Sequence, residues 1–190
     1  MQTITKAEFR VIKNELMGKI EQGAVFIHPT DTIYGLGCNA TDAKAVKRLR
    51  EIKERYTRPF SVIAPGKKWI YDNCIVDKKI KLWIEKLPGP YTLILKLKKK
   101  ECIAANVNTD LDTLGVRIPD HWFSGAVKEL GIPIVTTSAN ITGEDFMTSI
   151  ENLSTKIKSK IEFIIYEGEK KGSPSKIIDL TKSKVEVTKR

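Results

Sequence analysis

Between residues 7 and 21 the apolar side chains Phe9, Ile12, Leu16, Met17 and Ile20 recur at the spacing of one helix face and stop short of Gly23. That pattern predicts a helix over 7–21 capped by glycine. An apolar run over 24–28 reads as a buried strand. Residues 41–53 return to the helical period through Ala45, Val46, Leu49 and Ile52, with Thr41 as N-cap. Further strands are expected over 60–64, 91–97, 114–118, 132–135, 162–166, 177–180 and 184–187, and helices over 67–73, 77–87 and 120–130. Strand and helix signals interleave, but some neighbours are separated by loops too short for a parallel crossover, so a mixed sheet is expected. No repeat, low-complexity tract or linker interrupts the pattern, and 190 residues suit a single domain over 1–190. Residues 168–175, with two glycines and a proline, read as the most mobile loop.

The pattern breaks where strands end. After the strand over 24–28 comes His28-Pro29-Thr30-Asp31-Thr32-Ile33-Tyr34-Gly35-Leu36-Gly37, which sets five hydrogen-bonding side chains at a strand mouth. Thr136-Thr137-Ser138-Ala139-Asn140 follows the strand over 132–135 in the same way. Each is a turn stabilised by its own hydroxyls and carboxylates, or a site for carboxylate, phosphate or ribose oxygens. Arg117 sits among apolar neighbours on a short strand, where an arginine pairs with a carboxylate or binds a ligand.

Charge narrows the choice. The net charge of +10 and a pI near 9.4 favour an anionic partner such as nucleotide, RNA or phosphate, although a lysine-rich solvated surface accounts for them equally well. The arginines are more telling: of seven, four (Arg48, Arg50, Arg55, Arg58) fall within eleven residues. The guanidinium fork grips phosphate or carboxylate bidentately, so this gathering, with Lys53 beside it, points to an anion pocket. A frayed helix end that welcomes cations is the alternative.

Several devices are missing. There is no phosphate-loop signature, no Gly-x-Gly-x-x-Gly fingerprint, no Gly-x-Ser-x-Gly elbow and no Cys-His pairing. His28 and His121 stand far apart, and Cys38, Cys74 and Cys102 fit neither a disulfide framework nor a zinc motif, so no protein-held metal site is expected. No window is apolar enough to span a membrane, which suggests a soluble, cytoplasmic protein.

Pro29-Thr30-Asp31-Thr32-Ile33-Tyr34-Gly35-Leu36-Gly37, Lys53-x-Arg55, Pro59-Phe60-Ser61-Val62-Ile63, Pro88-Gly89-Pro90-Tyr91-Thr92, Gly115-Val116-Arg117-Ile118-Pro119 and Thr137-Ser138-Ala139-Asn140 together resemble, in order, the motifs of the YrdC-like family, the L-threonylcarbamoyladenylate synthases. The resemblance implies an α/β fold, a twisted mixed sheet flanked by helices around a basic concave cavity. It implies a reaction in which L-threonine, bicarbonate and ATP give threonylcarbamoyl-AMP and pyrophosphate. A partner enzyme then passes the threonylcarbamoyl group to an adenosine beside the anticodon of tRNA.

Carried over by motif, Lys53 and Arg55 would be the catalytic cations. Thr32, Tyr34, Ile63, Arg117, Thr136 and Ser175 would surround threonine, with its carboxylate on Arg117. Arg55, Arg58, Thr113, Ser138, Asn140 and Arg190 would surround ATP, with Mg²⁺ held mainly through phosphates. Gly35 and Gly37 would let backbone pass close beneath the site, where a Cβ would intrude. The chain departs from the family pattern at Arg58, where lysine is common, and at Lys176, where threonine is usual. Two alternatives stand beside this reading: a double-stranded RNA or tRNA-binding module without chemistry, and a paralogue using another carbamoyl or acyl substrate.

Overall fold

The structure, a computed structural model, describes residues 1–109 and 111–188. In chain order the elements are β1 (Gln2–Ile4), α1 (Lys6–Val11), α2 (Lys13–Glu21), β2 (Phe26–His28), β3 (Gly35–Gly37), α3 (Ala43–Lys53), β4 (Ser61–Ile63), α4 (Lys67–Asn73) and α5 (Lys78–Ile84). They continue with β5 (Tyr91–Lys96), α6 (Ala105–Asn108), β6 (Thr113–Arg117), α7 (Phe123–Leu130), β7 (Ile134–Ser138), α8 (Thr155–Lys158), β8 (Phe163–Ile165), β9 (Lys176–Asp179) and β10 (Glu186–Thr188). The strands form one mixed sheet in the order β1-β8-β2-β3-β7-β4-β6-β5-β9-β10.

Register divides the side chains between two faces, because residues paired across neighbouring strands point the same way. Ile27, Leu36, Val62, Val116, Val135 and Leu93 share one face, which is buried by α3 to α6 and α8. The opposite face changes character along its width. Under α1, α2 and α7 it carries Phe26, Ile63, Ile134, Phe163 and Ile165, packed on Phe9, Leu16 and Phe123. Each such aliphatic or aromatic side chain contributes ~1.5–3 kcal/mol by leaving water. Further across, the same face carries Ser61, Gly115, Thr113, Thr136 and Thr92, and among the described residues no helix covers them. Small polar side chains cannot anchor an apolar helix, so this part of the sheet is left as a concavity.

The structure corrects several boundaries. The helix expected over 7–21 is two helices that break at Ile12 (φ −104°, ψ 21°), where the β-branched pair Val11 and Ile12 stands. The N-cap of α3 is Asp42 rather than Thr41, since its carboxylate accepts from the N–H groups of Lys44 and Ala45. β3 is a strand that the sequence pattern hides, because glycines carry no apolar signal. A Cβ at Gly35 would come within 2.6 Å of His28 Cε1, and one at Gly37 within 2.6 Å of the Val135 carbonyl oxygen. A Cβ at either glycine would therefore meet His28 or the Val135 backbone. β7 runs on through Thr136, Thr137 and Ser138, which pair with Ser61, Leu36 and Gly35 and so belong to the strand itself.

Candidate active site

The uncovered part of the sheet floors a cavity of about 420 Å³, a size suited to a small ligand. Its described lining includes Arg55, Arg58 and Arg117 and no carboxylate, so its charge is positive. Arg117 faces Ile63 in register, whereas Arg55 reaches Thr137 and Pro59, beyond Ser61. The arginines therefore enter from different ends of the strands, with Arg117 6% exposed and Arg58 exposed on the surface.

At the Arg117 end, Nη2 donates to Asp31 Oδ1 at 2.6 Å and to Thr32 Oγ1 at 3.3 Å. The other carboxylate oxygen of Asp31 accepts the Asp120 N–H at 3.0 Å, which fixes the pair. Thr30 shapes the turn, donating its hydroxyl to the Ile33 carbonyl at 2.7 Å and accepting the Thr32 N–H at 3.1 Å. Thr136 lines the same cavity, and Ser175 Oγ meets Thr92 Oγ1 at 2.8 Å on its wall. Tyr34 is part of the cavity lining, but its hydroxyl points elsewhere, donating to the Gly168 carbonyl at 2.6 Å and accepting the Glu167 N–H at 3.1 Å. Burial pushes its pKa up to about 12.

The other end is built on α3. Lys53 is 2% exposed, and its ammonium donates to the Ser138 and Asn140 carbonyls at 2.7 and 3.0 Å and to Asn140 Oδ1 at 2.7 Å. Asn140 Oδ1 also accepts from Ser138 Oγ at 2.7 Å, which leaves Ser138 presented on the cavity wall. Lys53 and Asn140 thus stand behind the lining, as supports of the turn. Arg50 does similar work for the next loop, with its fork donating to the carbonyls of Asn106, Arg55, Arg58 and Val107 at 2.8 to 3.1 Å. Arg48 pairs with Glu162 at 2.6 Å. The arginine cluster accordingly divides: Arg55 and Arg58 face the cavity, while Arg48 and Arg50 are structural.

Of the remaining expected residues, Thr113 lines the cavity. Thr32 stands one contact behind it, bonded to Arg117. Ile63 is fully buried in the cluster beneath α1, α2 and α7, so it flanks Arg117 without reaching the wall. Arg190 lies outside the described residues. His28, also fully buried, stacks on Phe123 at 4.9 Å, and burial pulls its pKa down to about 3. It is a neutral packing residue. Sequence reasoning missed Thr92, Ser61 and Phe146 on the wall and Asp31 as the counter-ion of Arg117. The sequence alone carries no signal for them: the pairing of Gly115 with Ser61, where a Cβ at 115 would overlap the Ser61 hydroxyl, appears only in the packed sheet.

Among the described residues no group of three or more His, Cys, Asp or Glu side chains gathers, and no helix is long and apolar enough to cross a membrane. The described residues form no acidic cage for a cation.

The Sua5/YciO/YrdC family model, described as telomere recombination, matches residues 18–190. The threonylcarbamoyl-AMP synthase of Pyrococcus abyssi is 37% identical over 174 residues, which are 86% of this chain and 49% of that protein. A Methanocaldococcus jannaschii relative, provisionally named for the same activity, is 36% identical over 186 residues, or 96% of this chain and 86% of its own length. Crystalline P. abyssi Sua5 complexed with L-threonine superimposes with a TM-score of 0.87 at 30% identity, over 98% of this chain and 56% of that one. Escherichia coli YciO gives a TM-score of 0.85 at 26% identity, over all of this chain and 94% of its own. The chain spans about half the length of the Pyrococcus protein.

Proposed function

This chain belongs to the Sua5/YciO/YrdC family, and we propose that it makes L-threonylcarbamoyl-AMP and pyrophosphate from L-threonine, bicarbonate and ATP. The observation that carries the reading is the distribution of charge in the cavity: a buried arginine among hydroxyls at one end, two more arginines at the other, and no carboxylate in the described lining. Such a site suits a ligand that carries a carboxylate at one end and a polyphosphate at the other.

In this reading the carboxylate of threonine sits on Arg117, with Thr136 and Ser175 presenting hydroxyls beside it and Thr32 holding the guanidinium. The neutral amine attacks the bicarbonate carbon, water departs, and an oxygen of the resulting carbamate attacks the α-phosphorus as pyrophosphate leaves. Threonine supplies the nucleophile, so the protein contributes orientation and charge stabilisation rather than a covalent residue. Arg55 and Arg58 stand where the leaving pyrophosphate gathers negative charge, and Ser138 and Thr113 line the nucleotide side. Lys53 and Asn140 act indirectly, by holding Ser138. The described residues do not fit a protein-held Mg²⁺, so we propose that any Mg²⁺ arrives on the triphosphate. We further propose a cytoplasmic setting and a tRNA-modifying partner enzyme that consumes the adenylate.

The test is pyrophosphate release by the purified chain with ATP and Mg²⁺, omitting L-threonine or bicarbonate in turn. Release is expected only with both. Release that is indifferent to threonine contradicts the reading.

A further inference from the structure

Outside the cavity, side chains distant in sequence meet at one carboxylate. Glu167 Oε1 accepts from His121 Nε2 at 2.8 Å and from Lys170 Nζ at 2.6 Å, and Oε2 accepts from Trp122 Nε1 at 2.9 Å. His121 Nδ1 accepts the Phe123 N–H at 3.3 Å, which assigns the ring proton to Nε2 and makes the imidazole a neutral donor. The Glu167 side chain is only 23% exposed. Burial alone would raise its pKa, but the donors from Lys170, Trp122 and His121 hold it at about 2, so it stays charged across ordinary pH.

This carboxylate begins the segment 167–175, which links β8 to β9 across the cavity rim. The segment is fixed at its start by Tyr34, whose hydroxyl bonds the Glu167 N–H and the Gly168 carbonyl. Midway the Lys170 N–H donates to the Thr148 carbonyl at 2.9 Å. Gly172 then lies directly on the Thr32 carbonyl, so closely that a Cβ there would overlap it. Pro174 and Ser175 finish on the cavity wall. Residues 171–173 are exposed, and the strap is held at Glu167, Lys170 and Gly172 and, at its end, by Ser175 on Thr92.

The same carboxylate is tied to the other support of Arg117. His121 directly follows Asp120, whose N–H holds Asp31, the counter-ion of Arg117. Glu167 therefore joins the strap that rests on Thr32 to the turn that fixes Asp31, and Thr32 and Asp31 both accept from Arg117 Nη2.

We infer that Glu167 is a positioning residue for the buried, Arg117 end of the cavity: it latches the strap 167–175 in place and so sets affinity for the small carboxylate ligand without touching it. The identity of that ligand as L-threonine rests on the function proposed above; the latch itself does not. The replacement Glu167→Gln keeps the shape and removes the charge that Lys170 and the neutral His121 donate to. Lys170→Met removes one donor and leaves the carboxylate, and serves where Glu167→Gln fails to fold.

The experiment compares full-length wild type and both variants by hydrogen–deuterium exchange and by calorimetric binding of L-threonine and, separately, ATP. Losing a hydrogen bond to a charged group predicts exchange about tenfold faster over 168–175 with β2, β4 and β7 unchanged, and L-threonine bound about tenfold more weakly. ATP affinity should stay within about twofold, because the strap is anchored on Thr32 and Tyr34, toward the Arg117 end of the cavity. Unchanged strap exchange overturns the latch. Faster exchange with unchanged threonine affinity, or threonine and ATP weakened by the same factor, overturns the positioning role. If the wild type binds no L-threonine, the functional reading fails and the effect on threonine fails with it, while strap exchange still decides the latch.

Discussion

Replacing Arg50 by lysine keeps the charge and removes the fork. Arg50 is 7% exposed, and its three nitrogens donate to four carbonyls, two at Asn106 and Val107 on α6 and two at Arg55 and Arg58 in the loop that presents the cavity arginines. Its guanidinium also lies 4.5 Å from the centre of the Phe60 ring. An ammonium has a single nitrogen and cannot reach both carbonyl pairs, so at least two hydrogen bonds from a charged donor are lost, each worth ~1.5–3 kcal/mol. Water can reach the exposed Arg58 backbone and restore part of this, which leaves a net loss of about 2–4 kcal/mol. For a chain of this size that lowers Tm by about 5–15 °C. The assay is calorimetric or urea unfolding of wild type and Arg50→Lys, with deuterium exchange over 54–60 as a local readout. A variant within about 0.5 kcal/mol of wild type would refute the scaffold reading and return Arg50 to the anion pocket.

Three further outcomes are expected. His28 has a folded pKa of about 3 against an ordinary 6.5, so the unfolded chain takes up a proton that the folded one refuses; stability is full above pH 6.5 and falls by ~1.4 kcal/mol per unit down to pH 3. Urea unfolding at pH 7 and pH 4 should therefore differ by about 3 kcal/mol less in His28→Phe than in wild type, and equal differences would contradict the burial argument. Gly172→Ala places a Cβ on the Thr32 carbonyl, so calorimetry should show L-threonine binding weakened about tenfold or more with Tm changed by only a few degrees; unchanged binding would show that the strap yields freely. Arg55→Ala and Arg117→Ala should each abolish pyrophosphate release while circular dichroism stays that of the wild type, and near-normal turnover in either would overturn the site map.

Much of the fold was legible because strand cores such as Phe26-Ile27 and Val62-Ile63 and the helix face of Ala45, Val46, Leu49 and Ile52 carry periodic apolar residues. β3 was not legible, since Gly35 and Gly37 are there to clear His28 and Val135, a requirement that appears only once the strands are packed. β1 shows only Ile4 to the core, too little for a pattern. At the cavity, Arg117 and Thr136 could be found because polar residues at strand ends stand out against apolar runs, and Arg55 because it belongs to a cluster of scarce arginines. The division of labour could not: whether an arginine faces a ligand or four carbonyls depends on which way the chain turns after α3. The Glu167 latch was invisible for the same reason, as His121, Trp122 and Tyr34 approach it from separate elements.

The most direct test of the central claim is to supply carbon-13 bicarbonate with ATP, Mg²⁺ and L-threonine to the purified chain and to identify the nucleotide product by mass spectrometry. The account predicts threonylcarbamoyl-AMP bearing the heavy carbon in its carbamoyl group, formed in step with pyrophosphate and absent from Arg117→Ala. A product without the label, or ATP left unconsumed in the presence of all three substrates, would contradict it.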